Sequence, residues 1–87
     1  MDYHDTFFSR EDRYSIGIER TSGQCYVSIA VSTGVLDYEE YYRIPSDRYE
    51  ALLRGKDAAV AFAEACRRHE HDHLLIEKPG WNRGTPV

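Results

Sequence analysis

The stretch Val35–Ile44, VLDYEEYYRI, packs three tyrosines and three acids into a strand-like run, and the direction of its side chains decides the fold. Successive side chains of a strand point to opposite faces, so a one-residue slip would exchange the buried set for the exposed one. Two runs upstream alternate in the same way. Tyr14, Ile16 and Ile18 oppose Ser15, Gly17 and Glu19, while Cys25, Val27, Ile29 and Val31 share one face of Cys25–Ser32. Ser22-Gly23 and Thr33-Gly34 read as two-residue turns between these runs. Such turns pair Ile18 with Val27, Ile16 with Ile29 and Tyr14 with Val31. They then pair Val31 with Leu36, Ile29 with Tyr38, Val27 with Glu40 and Cys25 with Tyr42. Every inward position except Glu40 is apolar or aromatic, so an antiparallel three-stranded meander is expected. Glu40 is the misfit. It is expected at the sheet margin, paired with an arginine from a helix, or turned outward by a bulge.

Downstream, Pro45-Ser46-Asp47 stops the strand and starts a helix, with Ser46 as N-cap and Gly55 as its end. Asp57 caps a second helix whose stripe Ala59, Phe62, Ala63 and Cys66 has the spacing of a helix lying on a sheet. Arg67, Arg68 and His69 crowd its C-terminus, where the macrodipole favours cations. Leu74–Glu77 reads as a short fourth strand. The expected class is α+β in the order βββααβ, with both helices on one face of the sheet. Residues 1–13 read as a flexible N-terminal arm, with Phe7 and Phe8 docking on the body. Residues 14–87 read as a single domain whose extended tail, 79–87, packs Trp81 against it.

A chain of 87 residues with 41% hydrophobic and 30% charged residues has the composition of one globular domain. Its formal charge of −4, from 11 basic and 15 acidic residues, argues against a phosphate-backbone binder and fits a basic partner. The N-terminus lacks the basic and apolar regions of a signal peptide, and no apolar run reaches membrane-spanning length. Cys25 and Cys66 match no CxxC spacing, so a reduced, cytoplasmic setting is expected.

The registers leave a second face of the meander for something other than the core. They place Tyr26 opposite Tyr41, Ser28 opposite Glu39, Ala30 opposite Asp37, and Glu19 beside Tyr26. Two helices cover only one side of a small sheet, so Glu19, Tyr26, Asp37, Glu39 and Tyr41 read as a partner-binding patch in which acids steer a basic protein. The structural alternative is that cross-strand tyrosine pairs simply stabilise the sheet, with a ring shielding Gly17. A rival site is the run HEHDH, where His69, His71 and His73 would share a face of an extended segment as metal-ligating imidazoles must. A homodimer joined through the open sheet face is a third reading. No Gly-rich phosphate loop, GxSxG elbow or nucleophile signature occurs, and no cofactor is called for.

From DYEEYY through the alanine-rich helix and CRRHEHD to PGWNRGTPV, residues 14–87 resemble small bacterial proteins of the toxin-immunity type in size, acidity and architecture. That resemblance implies a non-catalytic protein that binds and blocks one cognate toxin, and it carries over no functional residue.

Overall fold

The computed structural model describes residues 1–87. Four strands, β1 (Tyr3–Ser9), β2 (Tyr14–Glu19), β3 (Gln24–Ser32) and β4 (Asp37–Ile44), form an antiparallel sheet in chain order. Helices α1 (Ser46–Arg54) and α2 (Lys56–Arg67) follow, then a 3-10 turn at Asp72–Leu74 and a two-residue strand β5 (Thr85–Pro86) paired with β3. The fold is α+β. Both helices lie on the inner face, where Tyr14, Ile16, Val27, Ile29, Val31, Tyr42 and Ile44 meet Tyr49, Leu52, Ala59, Phe62, Ala63 and Cys66. No helix is long and apolar enough to cross a membrane.

The expected flexible arm is instead an edge strand. β1 pairs along the whole of β2, from Tyr3 opposite Glu19 to Ser9 opposite Tyr14, with a bulge between Asp5 and Phe7. The bulge turns Thr6 inward, where its hydroxyl donates to the Ile16 carbonyl at 3.1 Å and meets the Tyr49 hydroxyl at 2.9 Å. A bulge breaks the period of two, which is why the segment shows no readable alternation. Arg67 of α2 clasps the turn that follows, donating to the carbonyls of Asp12 and Arg13.

Both hairpin registers are displaced by two residues from those the short turns imply. Ile16 faces Val27, Ile18 faces Cys25, Val27 faces Tyr42 and Ile29 faces Glu40. The turns are longer because side chains hold them. Glu19 accepts from the backbone N–H groups of Thr21 and Ser22 at 3.0 and 2.9 Å, and the Thr33 hydroxyl accepts from the Leu36 N–H at 3.0 Å. Gly23 and Gly34 take the left-handed backbone, with φ of 77° and 92°, that these loops require. A displacement of two is even, so each side chain keeps its assigned face.

The helix starts also differ from expectation. Pro45 and Gly55 occupy the N-cap positions, and neither helix has a side-chain cap hydrogen bond. The expected strand at Leu74–Glu77 shrinks to one bridge, Leu75 opposite Tyr42, with Ile76 N–H donating to the Tyr41 carbonyl at 2.9 Å. The tail beyond it crosses to β3, where Gly84 lies so close to Ser32 that a Cβ would meet its carbonyl carbon at 2.8 Å.

Candidate functional site: the outer face of the sheet

Tyr26 stands at the centre of the face turned away from the helices. It is fully buried, not exposed as expected, because β1 brings Tyr3 over it. The rings of Tyr3 and Tyr41 both meet Tyr26 edge-on, at 5.3 and 5.0 Å, and stack on each other at 3.5 Å with an 8° interplanar angle. The Tyr26 hydroxyl crosses Gly17 to donate to Asp5 Oδ1 at 2.5 Å, and a Cβ on Gly17 would strike that hydroxyl and the His4 carbonyl. Gly17 is therefore shielded by a ring, and Tyr26 is a structural residue. Tyr3 donates to Glu77 Oε2 at 2.9 Å. Burial, followed by neighbouring carboxylates, raises the phenol pKa values of Tyr3 and Tyr26 and pushes Tyr41 up to about 12, so the cluster stays neutral.

Glu19 also leaves the expected contact set. It is 2% exposed, and besides the two turn amides it accepts from the Ser22 hydroxyl at 2.7 Å and the Asp2 N–H at 2.7 Å. The Ser22 hydrogen bond first, then that from Asp2, lowers its pKa to about 2. It is the anchor of the first hairpin turn and is unavailable to a partner.

Asp37 and Glu39 are exposed and Tyr41 is half-buried, so these three residues of the patch remain accessible. β1 and the segment after the 3-10 turn add Asp5, Phe8 and Glu77, which the sequence reading omitted because it left the arm and that strand unplaced. Phe8 is 60% exposed and helps line a groove of about 150 Å³ with Arg13, Tyr14, Ser15, Ser28, Ala30 and Glu39. One Glu39 oxygen accepts from the Ser28 hydroxyl at 2.7 Å, which orients the carboxylate along this groove. None of Asp5, Asp37, Glu39 and Glu77 is in a salt bridge.

Glu40, the inward misfit, is neither marginal nor bulged. Its side chain is 5% exposed and accepts two hydrogen bonds from Arg83, at 2.7 and 2.9 Å, plus one from the Tyr42 hydroxyl at 2.9 Å. The expected arginine thus comes from the tail instead of a helix. Arg83 also donates to both Asp72 oxygens, at 2.8 and 3.0 Å, which lowers the Asp72 pKa and raises that of Arg83. This network, not Trp81, docks the tail. Trp81 is 97% exposed, contrary to the expected packing.

The histidines do not converge. His69 sits 3.7 Å from Asp72, His71 stacks on Phe62 at 4.5 Å, and His73 is 6.1 Å from the His71 ring. No group of three or more His, Cys, Asp or Glu side chains is arranged to hold a metal ion. Both thiols are buried and free, and burial pushes Cys66 up to about 12, far from a reactive thiolate. Compared with protein-family models, curated proteins and solved structures, the chain matches none.

Proposed function

We propose that this domain is a non-catalytic binding protein that holds a basic protein partner against the outer face of its sheet. The observation carrying this reading is the set Asp5, Asp37, Glu39 and Glu77. They surround an aromatic surface that the helices leave uncovered, and none of them is in a salt bridge, although Arg13 and Lys78 line the same surface. A folded protein satisfies most of its charge with its own counter-charges or water, whereas uncompensated charge around exposed aromatic area suits electrostatic steering onto a partner. Phe8 and Tyr41 supply the apolar contact, and Glu39 at the groove suits a partner lysine or arginine whose stem lies on Phe8 and Ala30. An inhibitor or immunity protein working in the cytoplasm, where Cys25 and Cys66 stay reduced, is the form of this function that we favour.

The test compares wild-type chain with Asp37→Lys/Glu39→Lys as affinity baits in cells of the native source. A partner held by the wild-type chain, released by added salt and lost from the charge-reversed bait is the expected result. Equal capture of every protein by both baits, with both correctly folded by circular dichroism, would sink the assignment.

A further inference from the structure

A second, separate site lies at the edge of β4, where the sheet meets the start of α1. A cavity of about 250 Å³ is lined there by Arg43, Arg48 and His71, over an apolar floor that includes Pro45, Phe62 and Leu74. We infer that this cavity binds a small organic oxyanion, a carboxylate or phosphate ester on an apolar body, with its charged head between the two guanidinium groups.

The cationic groups are held in place by contacts that leave their charge unneutralised. Arg43 bends round the sheet edge and donates to the carbonyls of His73 and Leu75, at 3.0 and 3.4 Å. Arg48 lies over the Phe62 ring at 5.5 Å, while His71 stacks on the same ring at 4.5 Å with a 13° interplanar angle. Phe62 is itself 6% exposed, so it is a fixed platform for both. Carbonyls and ring faces orient a cation without cancelling it.

Carboxylates are absent from the lining. Arg43 and Arg48 take part in no salt bridge, although acids outnumber bases 15 to 11 in the chain. Of the acids nearest in sequence, Asp47 accepts the Arg48 backbone N–H at 2.9 Å, and Asp72 is engaged by Arg83. Two arginines that line one cavity repel each other, and an anion bound between them relieves that repulsion. The guanidinium fork matches the paired oxygens of a carboxylate or phosphate, and Pro45 and Leu74 offer apolar contact for the rest of the ligand. The residues involved differ from those of the outer-face patch, so either reading stands without the other.

Phenyl phosphate and benzoate are the probes, titrated at constant ionic strength and followed by NMR of the backbone and of the arginine and histidine side chains. Benzyl alcohol and sodium chloride are the controls. Saturable shifts at Arg43, Arg48 and His71 with either anion are expected, with phosphate preferred if the natural ligand is an ester and benzoate if it is a carboxylate. Arg43→Gln/Arg48→Gln weakens binding by about tenfold or more, since each lost charged hydrogen bond is worth more than one decade in affinity. Arg10→Gln, which removes an equal charge elsewhere, leaves it unchanged. Arg48→Gln alone changes only an exposed side chain and gives the same direction should the double variant unfold. Shifts that chloride reproduces, or an Arg48→Gln protein that binds both anions as tightly as wild type, overturn the inference.

Discussion

Removing Arg83 tests whether the tail holds the core or only decorates it. In Arg83→Ala the Glu40 carboxylate, with its side chain 5% exposed, keeps just the Tyr42 hydroxyl as a partner. An uncompensated buried charge of this kind costs about 3–5 kcal/mol. Asp72 adds little, because its side chain is 40% exposed and water replaces the lost guanidinium. A domain of this size is stable by only about 5–10 kcal/mol, so the variant should lose around half of its stability. At about 4–8 °C per kcal/mol, its melting temperature falls by roughly 15–30 °C. Urea unfolding followed by circular dichroism measures the change, with the slope against urea checked for two-state behaviour. Glu40→Gln/Arg83→Met removes both charges together and should be less destabilised than Arg83→Ala, because no lone charge remains buried. A loss under about 1 kcal/mol in Arg83→Ala, as for a surface ion pair, would refute the reasoning. So would a double variant less stable than the single one.

Three further outcomes follow from the same geometry. Gly17→Ala places a methyl group against the Tyr26 hydroxyl and the His4 carbonyl, and should destabilise the domain by about 2–3 kcal/mol in the same urea assay. Trp81→Ala should leave stability within about 0.5 kcal/mol of wild type; the indole fluorescence of the native chain should already be that of hydrated tryptophan and open to iodide quenching. Glu19 has a folded pKa depressed from the ordinary 4.5 to about 2, so its contribution is fully present above about pH 4.5 and lost as pH falls toward 2. Asp72 is shifted in the same direction, and Glu19→Gln should therefore flatten, without abolishing, the acid-side loss of stability measured by melting temperature against pH.

The faces of the sheet were legible because alternation survives an error of register. Reading the turns as two residues long misplaced each hairpin by two positions, and an even slip returns every side chain to its own side. What alternation does not encode is how a loop is held. Glu19 looked like an outward acid beside Tyr26, and its parity was right. Its role depends on the amides of Asp2, Thr21 and Ser22 meeting at one carboxylate, which is a property of the folded turn. The same holds for Tyr26, whose cover is supplied by a strand with its period broken at Thr6. Glu40 was flagged correctly as an inward charge, yet its partner lies 43 residues away in a segment of glycines and prolines that no periodicity describes. Trp81 misled because residue type suggested packing, whereas the folded chain leaves it 97% exposed.

The carboxylates that the fold pairs with cations or turn amides differ from those that only accept a neutral hydroxyl or stay unpaired. Glu19 is spent on a turn, Glu40 and Asp72 on Arg83, and Arg67 on the turn after β1. What remains on the outer face is Asp5, Asp37, Glu39 and Glu77 around Tyr3 and Tyr41. That remainder bears directly on which occupant the face suits. A second copy docking through a two-fold axis presents the same patch to itself, and so sets these acids against the acidic patch of the other copy. Like charges brought together at an interface lose several kcal/mol, most of all where aromatic contact expels the water that would screen them. A basic partner meets the same aromatic area and neutralises the same carboxylates. A homodimer through this face would have to bring these carboxylates together, whereas the proposed basic partner would not.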